Sequence, residues 1–277
     1  MDYGLPVRFG SFLIPDSASP QRALELATLA DGLGFDLVGV QDHPYQRRFY
    51  DTWTLLTAIA MRTKQISVFP DVANLPLRPP AMLAKAAASL DILSGGRVEL
   101  GLGAGAFWEG VKAMGGPLRT PGEAVSALEE AIQVIKLMWS GQRGIQFDGN
   151  FYQLAGAHSG PVPAHPIGIW VGAYKPRMLA LVGRMADGWV PSLSYLKPQN
   201  IAAANARIDE AALAAGREPS MIRRVLNVGD VSADELAALA LEHGFDTFVI
   251  GEEKLEQFAA DVAPKVRELI AEGRGAR

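Results

Sequence analysis

Short apolar runs alternate with amphipathic helical stretches along most of the chain. The runs are apolar on both faces, which is typical of parallel strands buried on both sides. Apolar periodicity and bounding turn residues together predict eight strands. They lie at Val7–Leu13, Phe35–Gln41, Gln65–Val72, Arg97–Leu102, Ile167–Gly172, Gly188–Pro191, Ile222–Val228 and Phe245–Ile250.

A helix is predicted after each strand. Thr120–Glu123 and Ser232–Glu235 both fit a capping box. Ser19-Pro20 fits the start of another helix, which is expected to end at Gly34. Eight βα units in 277 residues favour an α/β (β/α)₈ TIM barrel over an open doubly wound sheet. We expect one domain over residues 1–277, with a short insertion between strands 4 and 5 at about residues 141–166. The other helices are expected from near Asp51, at Pro80–Leu93, Pro176–Ala186 and Pro198–Ala215, and from about Lys254.

Composition excludes several classes of protein. The net charge is −4 and no basic stripe is present, so no nucleic-acid partner is expected. No apolar run is long enough for a bilayer span, so no membrane partner is expected either. There is no cysteine and no HExxH pair among the four histidines, so no metal site is predicted. The absent cysteine and the plain start of the chain favour a cytoplasmic location.

Loops that follow the strands carry most of the polar and aromatic residues, and in a barrel such loops build the active site. Asp42-His43 is the sharpest pair there. An imidazole can move a proton near neutral pH, and the neighbouring carboxylate can orient it, so both are candidate catalytic residues. A surface or capping histidine beside a proline turn is the structural alternative. Arg78, between prolines, either pins its loop or lies on the surface.

Two small-residue loops are candidate cofactor sites. Gly103-Ala104-Gly105 falls within a GxGxxA pattern, but it follows the fourth strand, which argues against a Rossmann fingerprint. Small residues there let a flat ring approach the backbone, although tight strand–helix packing explains them too. Gly172-Ala173-Tyr174-Lys175 precedes a helix, whose N–H groups could bind phosphate. Three aromatic residues are candidates for the substrate pocket or for plain core: Trp108, Trp189 and Tyr195.

Several motifs are similar to those of the luciferase-like monooxygenase superfamily, whose members use FMN or the deazaflavin F420. The longest is Ala88–Gly103, which reads ASLDILSGGRVELGLG. The others are Gly34-Phe35-Asp36 leading to Asp42-His43, the run Leu75–Pro80, and Trp170–Ala173. The resemblance spans roughly residues 7–250. It implies a barrel that binds its cofactor ring over the strand ends and its phosphate near the loop after strand 5.

The resemblance also implies roles for individual residues. Relatives often have a non-prolyl cis peptide after strand 3, and the matching bond here joins Asp71 to Val72. His43 matches a histidine near the reactive ring carbon of F420-dependent relatives, and Asn74 matches a polar contact to the ring edge. Relatives commonly dimerise, so a homodimer is expected. One departure is Ala106, which stands where F420-dependent sugar-phosphate dehydrogenases have a catalytic glutamate.

These observations favour an F420-dependent oxidoreductase that transfers hydride to or from a small organic substrate. Asp42-His43 favours F420 over FMN. An FMN-dependent monooxygenase that uses O₂ remains the alternative, and so does a flavin- or F420-binding barrel without turnover. An aldolase or isomerase barrel has little support, because Lys175 is its sole candidate base.

Overall fold

The computed structural model describes residues 2–276. Ten α-helices are described: α1 Arg22–Gly32, α2 Thr52–Arg62, α3 Pro80–Ser94, α4 Trp108–Ala113, α5 Pro121–Trp139, α6 Pro176–Met185, α7 Ile201–Ala214, α8 Ala233–His243, α9 Leu255–Gln257 and α10 Ala263–Gly275. The strands are β1 Arg8–Leu13, β2 Leu37–Val40, β3 Ser67–Pro70, β4 Ala73–Asn74, β5 Leu100–Gly103, β6 Ile145–Asp148, β7 Gln153–Ala157, β8 Ile169–Val171, β9 Gly188–Trp189, β10 Arg223–Asn227 and β11 Thr247–Gly251. No helix within residues 2–276 is long and apolar enough to cross a membrane.

Nine of the strands form one parallel sheet, in the order β3-β2-β1-β11-β10-β9-β8-β5-β4. The sheet closes on itself because the N–H of Val68 donates to the carbonyl of Arg97 (2.9 Å) and the N–H of Glu99 donates to the carbonyl of Val68 (3.0 Å). Strands β3 and β4 are the two halves of one barrel strand, interrupted at Asp71–Val72. The predicted (β/α)₈ barrel is therefore confirmed.

The core has two layers, as expected for a barrel whose strands are buried on both sides. Alternate side chains of the strands point into the barrel, where one apolar cluster fills the middle. Its members are Leu37, Phe69, Trp170, Val190, Val225 and Val249. The larger cluster lies outside, between the strands and the surrounding helices.

Three local features differ from the sequence prediction or refine it. Helix α1 begins at Arg22, three residues after Ser19, because the carbonyl of Ser19 is used in a turn by the N–H of Arg22. The short helix α4 was not predicted. Its position at the fourth strand end places Trp108 and Glu109 on a helix rather than in a loop. The antiparallel hairpin β6–β7 lies within the predicted insertion.

The amino-terminal face of the barrel is stabilised by Asp91 and Arg97, which belong to the long motif shared with the luciferase-like superfamily. The buried carboxylate of Asp91 accepts from Nδ1 of His165 (2.7 Å) and from its backbone N–H (3.1 Å). The guanidinium of Arg97 donates to the carbonyls of Ser94, Ile66 and Ala60, at 2.8, 2.8 and 2.7 Å. This motif therefore fastens α2, β3 and α3 together at the end remote from the strand-end loops.

Candidate active site

Val72 lies at the centre of the barrel mouth, the recess at the carboxyl ends of the strands. It packs onto the apolar cluster inside the barrel. A Cβ built on Gly103 would lie 2.9 Å from Val72 Cγ2, and one built on Gly172 would lie 3.5 Å from the same atom. The missing side chains at these two positions leave space on both sides of Val72.

The Asp71–Val72 peptide bond is cis, as the resemblance implied. Asp71 itself points into the barrel: its Cβ lies 3.1 Å from the position a Cβ on Gly39 would take. The side chain is buried, with 8% of the residue exposed. Asn227 Nδ2 donates to Asp71 Oδ1 (3.2 Å), while Asp71 Oδ2 and Asn227 Oδ1 have no partner in the described structure. Burial raises the pKa of Asp71 to about 7.

Asp42 is buried as well, but its charge is neutralised. Arg78 donates to it through Nε (2.6 Å) and Nη2 (2.7 Å), and the backbone N–H of Asn74 donates to Oδ2 (2.8 Å). The same Arg78 reaches Asp51, the N-cap of α2, at 2.6 Å. The hydrogen bonds of Arg78 are thus made to two carboxylates of the protein itself. Asp42, predicted as catalytic, therefore lies where it positions the loop of Asn74 and the backbone of its neighbour His43.

The imidazole of His43 belongs to an aromatic cluster at the rim. Its ring centroid lies 5.5 Å from that of Tyr45 and 5.8 Å from that of Phe107. Burial lowers the pKa of His43, although the charge of Asp42 partly opposes this. The ring is therefore neutral at pH 7. No hydrogen bond to its nitrogens comes from residues 2–276, so they remain able to bind a ligand.

The loop after β8 has the exposed surface that a phosphate site requires. Helix α6 begins at Pro176, and no side chain caps it. Lys175, immediately before it, is exposed, as is Tyr174. The hydroxyl oxygen of Tyr174 accepts from the N–H of Ser192 (2.8 Å), and its ring meets that of Tyr195 edge-on at 6.1 Å. The predicted cluster Gly172–Lys175 thus lies at the mouth, with Tyr195 exposed at its edge.

The structure places the three predicted pocket aromatics differently. Trp108 is half-buried, and its ring edge would lie 2.9 Å from a Cβ on Gly105, so both residues are at the rim. Trp189 is fully buried outside the barrel, where it stacks on Phe245 at 5.6 Å and donates to the carbonyl of Ala173 (2.9 Å). The prediction of Trp189 as a pocket residue is wrong, because its strand position faces the helices.

Two residues of the mouth were missed. Asn227 lies in a run predicted only as an apolar strand, and its amide is what meets Asp71. A lone polar residue at an inward position of such a run is the signal that could have identified it. Tyr45 stands in the loop of His43, and nothing in its sequence context indicates the ring contact.

A separate cavity of about 400 Å³ opens at the ends of β1, β10 and β11. Its walls are apolar, and Phe12 and Gly251 border the barrel mouth. Asp230, Glu252, Glu253 and Lys254 stand at its rim. Lys254 pairs with Asp230 (3.1 Å), and Arg22 pairs with Glu252 (3.1 Å). Among residues 2–276, Glu253 is therefore the rim carboxylate without an ion-pair partner. The apolar wall residues are Phe12, Ile14, Val228, Val231, Leu236, Ile250, Phe258 and Val262.

A closed parallel barrel with a glycine-floored mouth and titratable groups at its rim defines a (β/α)₈-barrel enzyme. The sequence profile of the luciferase-like monooxygenases matches residues 1–242, so the chain belongs to that family. This membership confirms the prediction of an enzyme of the luciferase-like family.

Individual relatives narrow the comparison. The chain is 30% identical over 223 residues to a 5,10-methylenetetrahydromethanopterin reductase of Archaeoglobus fulgidus, covering 76% of this chain and 60% of that protein. It is 30% identical over 234 residues to an F420-dependent glucose-6-phosphate dehydrogenase of Mycolicibacterium smegmatis, covering 81% and 68%. The chain thus spans about two thirds or less of the length of these relatives.

Solved structures share the fold. An F420-dependent secondary alcohol dehydrogenase in complex with an F420-acetone adduct superposes with a TM-score of 0.82 at 20% identity, covering 96% of this chain and 99% of that one. A riboflavin lyase with modified FMN gives 0.84 at 14% identity, covering 95% and 92%. At these identities the likeness concerns the barrel alone.

Proposed function

We propose that this chain is an F420-dependent oxidoreductase that transfers hydride between the deazaflavin and a small organic substrate. One observation carries the proposal: the neutral imidazole of His43, with both nitrogens available, stands at the rim of a flat, glycine-floored mouth. The F420-dependent glucose-6-phosphate dehydrogenase among the relatives supports F420 as the cofactor.

The residues present fit a flat heteroaromatic ring. Val72, between Gly103 and Gly172, offers an apolar support for one face of such a ring. The buried oxygens Asp71 Oδ2 and Asn74 Oδ1 have no partner in the described structure, and a ring edge with N–H and carbonyl groups would supply partners. Buried polar groups normally have partners, so these two atoms favour a polar ligand at this place.

Each side chain then has a defined task. Once bound, the deazaflavin supplies the hydride chemistry, and the protein places the reactants. His43 holds or accepts a proton at the rim, Val72 supports the ring, and Asn74 binds its edge. The N–H groups at the start of α6, with Lys175 beside them, would hold phosphate oxygens of the cofactor tail. Ala106 supplies no acid, so the proton chemistry falls to the remaining groups of the rim.

The cavity beside the mouth indicates a substrate class. Its apolar walls favour a hydrophobic substrate. Asp230 and Glu252 at its rim are already ion-paired, which leaves Glu253 as the rim carboxylate without such a partner in residues 2–276. Two of the N–H groups at the start of α8, those of Ser232 and Glu235, are already used by the capping box. An anionic group finds little to bind there, so we propose a neutral or cationic apolar substrate rather than a sugar phosphate.

Titration of the purified apoprotein with F420 and, separately, with FMN tests the cofactor. We expect saturable quenching of F420 fluorescence and much weaker FMN binding. Tight FMN binding with no F420 binding would overturn the cofactor assignment and favour the monooxygenase alternative. Binding of F420 without turnover of any acceptor would favour a non-catalytic barrel.

A second assay tests the substrate class. Oxidation of reduced F420 is followed with alcohols, ketones and imines of matched size that carry an apolar tail, an amine, a carboxylate or a phosphate. We expect the apolar and amine series to react and the phosphates to fail. Leu236→Phe should raise KM by narrowing the cavity, while Leu213→Phe, on the exposed face of α7, should leave it unchanged. Preference for phosphates would overturn the substrate class.

A further inference from the structure

We propose that Asp71 binds the deazaflavin ring as the neutral acid and donates its proton in a hydrogen bond to that ring. The inference rests on the proposed function, since it needs that ring in the mouth. It assigns to Asp71 a different role from the other buried carboxylate of the site, Asp42.

The contrast between the two carboxylates is the starting point. Asp42 and Asp71 are both buried, at 1% and 8% exposure. Asp42 receives two guanidinium contacts and one backbone N–H. Asp71 receives a single amide N–H at 3.2 Å, and no cation of residues 2–276 pairs with it. A buried carboxylate without a cation is costly, so Asp71 favours the neutral acid.

The surroundings of Asp71 carry little charge. Asn227 on β10 faces it with an amide, Phe69 and Gly39 lie on the barrel side, and Tyr174, after β8, is the titratable group that senses its charge. Burial raises the pKa of that phenol, so it too is neutral at pH 7. Burial raises the pKa of Asp71 itself to about 7, against an ordinary value of 3.8.

The oxygen of Asp71 without a partner indicates which atom carries and donates the proton. Oδ1 is occupied by the Asn227 amide, whereas Oδ2 has no partner in the described structure. Asp71 also adjoins Val72, the apolar support proposed for the ring. A protonated Oδ2 donates to a ring carbonyl or nitrogen, and an ionised Oδ2 would instead face it with a second negative dipole or charge. We therefore place a ring carbonyl or nitrogen opposite Oδ2, an arrangement that favours the protonated acid. A ring N–H at that place would favour the carboxylate and would reverse the pH dependence.

Linkage turns this into a measurable pH dependence. If the neutral acid binds the ring, the Kd for F420 rises as pH increases through about 7 and protons are taken up on binding. Asp71→Asn replaces the acid by an amide that donates at every pH. Its Kd should keep only the pH dependence that belongs to the cofactor and to other groups.

The experiment measures the Kd for F420 between pH 6 and pH 8.5 by fluorescence quenching, and proton uptake by calorimetry in two buffers. Wild type should weaken about tenfold or more relative to Asp71→Asn over this range. Asp148→Asn, on the exposed hairpin strand β6, is the matched control and should follow wild type. An infrared carboxylic-acid band that disappears near pH 7 in the apoprotein, and is missing in Asp71→Asn, provides a readout without cofactor.

The outcomes separate the two levels of inference. Identical pH dependence of wild type and Asp71→Asn, with F420 bound by both, would overturn the role of Asp71 and leave the proposed function standing. Absence of F420 binding by either protein at any pH would overturn both. Circular dichroism and the unfolding midpoint establish that Asp71→Asn is folded, and the infrared band tests the protonation state in wild type alone.

Discussion

Arg78 forms a bidentate ion pair with Asp42: Nε donates to Oδ2 at 2.6 Å and Nη2 donates to Oδ1 at 2.7 Å. The pair is almost closed to solvent, and it joins the loop after β2 to the loop after β4. Through the N–H of Asn74 the same carboxylate also fixes the backbone beside Val72. The orientation of His43 and the floor of the mouth therefore depend on one ion pair.

Asp42→Asn should destabilise the protein by about 1–3 kcal/mol, because the charged acceptor of two guanidinium contacts and one backbone N–H is lost while Asp51 still pairs with Arg78. It should also weaken F420 binding, since the loop of Asn74 loses its anchor. Urea unfolding and cofactor titration check both effects. Asp16→Asn is the control, because its pair with Arg48 is exposed; its unfolding midpoint should match wild type. Equal midpoints for all three proteins would contradict the role of the pair.

His43→Ala should lower kcat by about 10²–10⁴-fold, the range typical of a lost acid–base group. The cofactor Kd should change much less, because the apolar support and the phosphate loop remain. His158→Ala, on the exposed loop after β7, should retain full turnover. Full activity of His43→Ala, measured with any acceptor that the wild type reduces, would remove the catalytic assignment.

Gly103→Ala should disturb the mouth, because its Cβ would lie 2.9 Å from Val72 Cγ2 and the branched side chain has little freedom to move. We expect a loss of about 1–3 kcal/mol in stability, as for other overpacked sites, together with weaker F420 binding. Gly251→Ala is the matched change on β11, where no atom lies within 4 Å of the new Cβ. Its stability should stay near that of wild type. Similar losses in both variants would mean that the contact with Val72 is not the cause.

The free energy of unfolding should depend on Asp71 in a defined direction. Its folded pKa, about 7, lies above its ordinary value of 3.8, so the folded state holds this proton more tightly than the unfolded state does. The contribution to stability is complete below about pH 3.8 and is lost as pH rises through 7, at up to ~1.4 kcal/mol per pH unit. Denaturant titrations of wild type and Asp71→Asn at pH 5, 6, 7 and 8 isolate this contribution. A constant difference between the two proteins would contradict the raised pKa.

The apolar runs predicted the barrel because burial on both faces leaves a strong signal at every strand. The same property hides which side chains point inward. The run Gly188–Pro191 is apolar at each position, so its sequence does not show which side chains face the barrel interior and which face the helices. Trp189 was therefore assigned to the pocket although it faces the helices. Helix α4 was missed because its six residues, with Phe107 at a left-handed N-cap, lack a capping signal.

The site was predicted where residue type alone suffices. Asp42, His43 and the glycines were placed at the mouth because they follow predicted strands, and the loops after the strands form that end of a barrel. The protonation state of Asp71 depends instead on the absence of a neighbouring cation among residues 2–276. Its lack of a paired cation among residues 2–276, and its contact with Asn227 more than 150 positions away along the chain, arise only when the barrel closes. A contact between such distant positions cannot be predicted from the local sequence.

The fastening of α2, β3 and α3 by Arg97 has a consequence for protein engineering. Its hydrogen bonds, and those of Asp91 with His165, all lie at the end of the barrel opposite the mouth. Loops at the mouth can be exchanged without touching them. The chain is therefore a compact host for transplanted strand-end loops, in which new substrate preferences can be installed on an unchanged base.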